Sequence, residues 1–303
     1  MKRSDLTDAL AGRRLCCDGA MGTQLLARGL ESGACGMLWN IERPEAVQAV
    51  HEAYRRAGCN LITTNSFGGS AFALERHGLA HRAAELNRAA AQLARAAAGE
   101  EGWVLGDVGP FGDFLEPLGD TTADELRDIF RVQIEALLAG GADAILLETL
   151  SDPAEAVVGI EAAKLCGAST PVIVTYAFQK TGPGDYRTMM GTGVQEALQT
   201  AIGAGAQIVG ANCGTALSLD DYVELAGQIA KAAAGAQVIL QPNAGAPRVE
   251  GESTVYDATP EQMAETTDRL LAAGVRIAGG CCGTTPSHLA AIARSIEAAN
   301  HGA

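Results

Sequence analysis

Aromatic residues are scarce in this 303-residue chain, at 4%. No apolar run in it approaches the roughly 18 residues of a membrane-spanning helix, which argues against a membrane partner. Residues 1–12 are polar and lack the apolar centre of a secretory signal. Basic charge is short as well: 22 Lys and Arg against 36 Asp and Glu give a net −14, with no basic patch, so nucleic acid is not an expected partner. Without a secretion signal, eight cysteines read as reduced thiols in a cytoplasmic setting and not as a disulfide framework. No linker, low-complexity tract or charge block divides residues 1–303, which read as one domain.

What is abundant is glycine, 37 residues, and a repeated theme. A short aliphatic run ends in a Gly- or Asn-containing loop, and an Ala-rich amphipathic segment follows. The runs are 15–17, 61–64, 104–108, 144–147, 172–177, 208–211, 238–240 and 275–278. The helical segments are 44–57, 80–98, 123–139, 153–166, 194–204, 220–234, 260–273 and 286–300. Several begin with proline, which suits a first turn, and several end in Ala-Gly or Gly-Gly, which suits a left-handed cap. Eight strand–helix units with continuously apolar strands predict an α/β fold, a single (β/α)8 TIM barrel, with an open doubly wound sheet as the alternative.

Barrel active sites lie at the carboxyl ends of the strands. There the chain places Asp18, Thr64, Asn65, Asp107, Glu148, Cys213, Gln241-Pro242-Asn243 and Cys281-Cys282. Three cysteines on two glycine-flanked strand-end loops suit Zn²⁺ with a fourth position open, the pattern of a catalytic site. The plainer reading makes them buried apolar residues. Cys16, Cys17, Cys35, Cys59 and Cys166 read as small core or surface residues. His51, His77, His81, His288 and His301 lack metal-ligand spacing and read as solvated or capping residues. Trp39 is either a lid over the mouth or packing, and residues 182–193 read as the long loop after strand five.

Asp18-Gly19-Ala20-Met21-Gly22-Thr23, Thr64-Asn65-Ser66-Phe67-Gly68, Gly106-Asp107-Val108-Gly109-Pro110, Glu148-Thr149, Asn212-Cys213, Pro242-Asn243-Ala244-Gly245 and Gly279-Gly280-Cys281-Cys282-Gly283-Thr284-Thr285-Pro286 occur in that order. Together, over about residues 15–296, they resemble the homocysteine S-methyltransferase family, in particular the homocysteine-binding modules of cobalamin-dependent methionine synthases. The resemblance implies Zn²⁺ on Cys213, Cys281 and Cys282, with Asn243 as an exchangeable fourth ligand. It implies that Glu148 meets the amino group of homocysteine and that Asp18, Gly19, Thr64 and Asn65 line the amino-acid pocket. Backbone N–H groups of 19–23 would then receive the carboxylate. Asp107 either faces the substrate or braces the barrel mouth.

The implied activity moves a methyl group to the homocysteine thiol, giving methionine. The expected donor is a methyl-corrinoid on a separate protein, with a betaine or a sulfonium as alternatives. The betaine branch of the family has an aromatic residue in the slot of Gly68, and sulfonium-using members have arginine in the slot of Gly283. Cys213-Gly214 departs from the family's Cys-Ser/Thr pattern, which keeps another small thiol open as acceptor. Two other classes stand beside this one: a non-catalytic zinc-stabilised binding barrel, and a metal-free enzyme with Cys213 as nucleophile. Nothing in the sequence selects an oligomeric state.

Overall fold

Strands that are apolar on both faces must be covered on both, by helices outside and by their own neighbours inside. A computed structural model describes residues 4–251 and 253–302 and shows that arrangement. The strands are β1 (Leu15–Cys16), β2 (Leu61–Thr63), β3 (Trp103–Val108), β4 (Ala144–Leu150), β5 (Val172–Tyr176), β6 (Ile208–Cys213), β7 (Gln237–Pro242) and β8 (Ile277–Ala278). They pair in parallel in the order β1-β8-β7-β6-β5-β4-β3-β2. A parallel bridge between Cys17 and Leu61 brings β1 against β2 and closes the ring. The barrel expectation holds, and closure removes the open-sheet alternative.

Side chains alternate between the two faces of each strand. Leu15, Leu61, Trp103, Leu105, Leu146, Ile173, Ile208, Ile239 and Ile277 pack together as the barrel's inner cluster. Their sequence neighbours, among them Ile62, Val104, Ile145, Val174, Val209 and Leu240, join the larger cluster under the helices. Leu6 and Leu10, from a short helix at Leu6–Gly12 that the sequence reading did not anticipate, close the inner cluster at the strands' amino ends. Trp103 Nε1 donates to Ser4 O at 3.2 Å there.

The eight outer helices fall within a few residues of expectation, for example Ala123–Ala139 and Pro153–Cys166. Capping boxes at Thr122/Glu125, Ser218/Asp221 and Thr259/Gln262 fix three of their starts. Gly205 ends one helix at φ 110°, the left-handed cap its Ala-Gly signature predicts. Two hairpins, Gln179–Gly182 with Asp185–Arg187 and Arg248–Glu250 with Ser253–Val255, lie outside the barrel; the first overlaps the start of what read as the long loop after strand five. His51 corrects the histidine reading: it is fully buried and both ring nitrogens lack a partner. His288 does cap the last helix, through Thr285. Trp39 is packing, buried beneath the Arg43 guanidinium. Cys16, Cys17, Cys35 and Cys59 are buried and Cys166 is half-buried. No helix among the described residues is long and apolar enough to cross a membrane.

Candidate metal and amino-acid site

The alternation that fills the barrel with aliphatic side chains turns polar at its carboxyl end. Two residues beyond Leu15, Leu61, Leu105, Leu146 and Ile239, the inward positions are Cys17, Thr63, Asp107, Glu148 and Gln241. Asn212 holds the matching place on β6. The mouth is therefore floored by polar groups that continue the core's own layers.

Three sulfurs meet at one side of this mouth. The Sγ atoms of Cys213, Cys281 and Cys282 lie within 4.8 Å of one another, the one such group of three among the described residues. Cys213 and Cys282 are 3.9 Å apart. Cys213 sits at φ 57°, a left-handed conformation that non-glycine residues seldom adopt and that often marks a functional site. Tyr222 Oη and Asn243 Nδ2 (2.7 Å) both donate to the Cys213 carbonyl and hold that turn.

The β8 loop is locked on both sides. Cys281 N donates to Pro242 O at 2.8 Å, Ala244 N to Cys282 O at 3.0 Å, and Gly280 N to Asp18 O at 3.0 Å. A Cβ on Gly279 would lie 2.8 Å from Asp18 O, and one on Gly280 2.6 Å from the Thr284 side chain. Gly279 thus answers to the close approach of the β1 loop, and Gly280 to the Thr284 side chain of its own loop. Hydrogen bonds from Cys213 and Cys281 pull the Cys282 thiol well below its ordinary range, with help from Tyr256. The same hydrogen bonding pushes Cys281 up. The cluster holds one thiolate readily and resists the next two without a cation.

Carboxyls occupy the other side. Asp18 accepts from Thr63 N at 2.8 Å and from Thr63 Oγ1 at 2.7 Å. Burial still lifts it to about 7. Glu148 keeps a partial opening to the mouth, while protein atoms enclose its carboxyl and burial lifts it to about 7. Burial, then the charge of Glu148, push Asp107 well above the usual carboxyl range. Asp107 Oδ1 is buried with no donor on it. Two buried acids and the partly open Glu148, with no cationic side chain paired to them among the described residues, form a site that a cation would relieve.

Asn212 joins the two sides. Its Nδ2 donates to Glu148 Oε2 at 3.0 Å and to Thr149 Oγ1 at 2.8 Å, and lies 4.0 Å from Cys281 Sγ. Its Oδ1 accepts from Thr175 Oγ1 at 2.9 Å and from Thr149 N at 3.0 Å.

Among the residues singled out from sequence, Asp18, Asp107, Glu148 and the three cysteines converge on the mouth. Asn243 joins them, and its Oδ1 is buried without a partner. Gly19 is pressed against Thr284, Leu289 and Tyr54, where a Cβ would lie 2.5 Å from Thr284 Oγ1. In the adjoining 19–23 loop, Ala20 N donates to Thr284 Oγ1 at 3.1 Å. Thr64 Oγ1 bonds Ser66 Oγ and Asp107 N. Asn65 Nδ2 bonds Gly36 O and Asn40 Oδ1, both at 2.9 Å, and so ties the β2 loop to residues 36–40. Thr63, Asn212 and Tyr256 went unnamed as site residues. Strand parity counted from Leu61 and Ile208 identifies the first two, whereas Tyr256 reaches the site only through a hairpin with no local signal.

The family model for homocysteine S-methyltransferase matches residues 15–296 of the chain. Methionine synthase from Mycobacterium leprae (strain TN) is 33% identical over 319 residues, covering 99% of this chain and 26% of that protein. Methionine synthase from Mycobacterium tuberculosis (strain ATCC 25618 / H37Rv) is 33% identical over 313 residues, covering 97% and 25%. The chain thus spans about a quarter of the length of these relatives. The crystal structure of the homocysteine methyltransferase MmuM from Escherichia coli, in its metallated form, superposes with a TM-score of 0.76 at 25% identity, covering 95% of this chain and 99% of that one.

Proposed function

This chain belongs to the homocysteine S-methyltransferase family, and from that premise we propose that it binds Zn²⁺ through Cys213, Cys281 and Cys282 and methylates the thiol of homocysteine. The observation that carries the reading is the three-sulfur cluster beside buried, uncompensated carboxyls. Three convergent, half-buried cysteines fit zinc, which in catalytic sites takes a fourth, exchangeable ligand. The buried, unpartnered Asn243 Oδ1 fits a weak fourth ligand that a thiolate displaces. Bound there, the ion would supply the Lewis acidity that keeps a coordinated thiol ionised at neutral pH.

The chain's own residues bind and orient. Glu148, with Asp107 and Asp18 behind it, receives the substrate ammonium. Asn212, bonded to Glu148 and close to Cys281, sets how the amine end and the sulfur end stand relative to each other. Locked loops hold the acceptor sulfur toward the open mouth, so that a methyl donor meets it in line. The donor in this proposal is a methyl-corrinoid carried by protein outside this barrel.

Metal analysis and a thiol titration of the cobalt-substituted protein test the reading. One ion per chain is expected, with a visible-spectrum change on adding homocysteine. Cys281→Ala should lose most of the metal. Full occupancy in single alanine variants of all three cysteines would sink the zinc assignment. A spectrum that ignores homocysteine would make the site structural.

A further inference from the structure

At the opposite end of the barrel, a cavity of about 590 Å³ opens between the first and last outer helices. Arg13, Arg14, Arg56 and Arg294 line it, with Glu297 as the lone carboxylate and His301 at its edge. In a chain of net charge −14, four guanidiniums around one cavity run against the general balance. Helix C-termini attract cations, and that accounts for Arg56 and His301, each in a last helical turn. It does not account for the other three. Arg294 lies inside its helix, and Arg13 and Arg14 precede β1.

Among the described residues, Arg13, Arg14 and Arg294 make no ion pair; Arg56 pairs with Glu52 at 3.4 Å. Arg14, one of the lining residues, is half-buried. Its Nη1 donates to Ala299 O at 3.0 Å, while its Nε is buried without a partner. Arg13 lies over the Trp103 ring. Arg276, behind them, is pushed down by burial and by the Arg14 charge. The cluster therefore repels itself and carries unused donors. Ala57, Ala293 and Ile296 give the cavity an apolar wall.

We propose that this cavity binds a small phosphate-bearing organic anion, on the barrel face opposite the sulfur site. Guanidinium forks match phosphate oxygens in pairs, and the apolar wall accommodates the organic part. This proposal is independent of the methyl-transfer reading.

Isothermal titration of the full metal-loaded chain with AMP as probe, in low-salt buffer, tests it. Saturable one-to-one binding is expected, with succinate, a dicarboxylate, much weaker. Arg13→Ala and Arg294→Gln should each weaken AMP by about tenfold or more. Both should leave metal content unchanged and the chain folded, with at most a small drop in the unliganded melting temperature for Arg13→Ala, whose contact with the fold is the Trp103 ring. Three results would overturn the proposal: no saturable binding of AMP, equal binding of succinate, or affinity unchanged in both variants.

Discussion

Glu148 and His51 are both ionisable groups in enclosed surroundings, yet they predict opposite things. Glu148 and Asp18 are lifted to about 7 by burial, and an incoming ammonium favours their ionised forms. Binding of methionine, which brings the amine without a thiol, should therefore tighten as pH rises through 7 and weaken below it, where a proton must first leave. Calorimetric titration from pH 5.5 to 8.5 checks this, and a flat profile would exclude the carboxyls as the amine site. Glu148→Gln should weaken homocysteine by roughly 1.5–3 kcal/mol, the usual worth of a charge-assisted hydrogen bond, with metal content unchanged. His51 has no such partner, and burial drops it to about 4 against an ordinary 6.5. Between those values the unfolded chain binds the extra proton, so this residue costs stability as pH falls from 6.5 toward 4. The loss reaches about 3 kcal/mol. The raised carboxyls act in the opposite sense over the same range, so the difference between His51→Leu and the parent is the measurement. Denaturant titrations should show the variant gaining on the parent below pH 6.5, and a constant difference would refute the assignment.

At the scale of elements, the carboxyl ends of β4, β5 and β6 are tied by one side chain. Asn212 bonds Glu148 and Thr149 from β4 and Thr175 from β5, and it immediately precedes Cys213. Asn212→Ala strands several buried polar groups at once, each worth about 1–3 kcal/mol when left unpaired. The expected outcome is a stability loss of about 2–3 kcal/mol together with weaker homocysteine binding, because Glu148 loses its positioning donor. Chemical denaturation and calorimetry read the two effects. Unchanged homocysteine affinity in the folded variant would show Asn212 to be scaffold only. The same residue shows what a sequence reader can and cannot recover. Proline starts, Ala-Gly ends and aliphatic runs made the outer helices and barrel strands legible because each signal is local. The cysteines and strand-end acids were legible because the barrel puts every strand end on one face. Thr63 and Asn212 were missed, since uncharged polar residues stand out only when strand parity is counted inward from the aliphatic layers. The 179–187 and 248–255 hairpins and Tyr256 were missed because long polar loops carry no periodic signal. His51 was misjudged because helix-face burial depends on which neighbours pack against it.

The whole molecule bears on the donor. Its two barrel ends differ: the amino end is plugged by the helix carrying Leu6 and Leu10, and the carboxyl end opens on the sulfurs. The segments that follow the strands at that end expose Leu26, Phe67, Phe114, Leu118, Met189 and Val249. Exposed apolar side chains on the segments that follow the strands at one end suit contact with a large partner better than enclosure of a small cation. Two local features agree. Where the betaine branch has an aromatic residue, Gly68 has the Met37 side chain against it, and an added Cβ would lie 2.9 Å from Met37 Cε. Where sulfonium-using members have arginine, Gly283 lies under the Tyr256 ring, and a Cβ there would approach it to 2.3 Å. A quaternary ammonium needs an aromatic cage closed around it, and this mouth has no aromatic residue at 68 to build one in the family's manner. A donor held on another protein needs only access to the acceptor sulfur. Free methylcobalamin should accordingly support methionine formation from homocysteine, slowly because the carrier's docking contacts are missing, whereas glycine betaine should give none above background. The measurement is methionine produced by the metal-loaded chain with each donor in turn. Turnover with betaine well above that with methylcobalamin would overturn the donor assignment. It would leave the proposed acceptor half standing, because in that reading the three cysteines and the carboxyls serve the thiol and amine of homocysteine whatever delivers the methyl group.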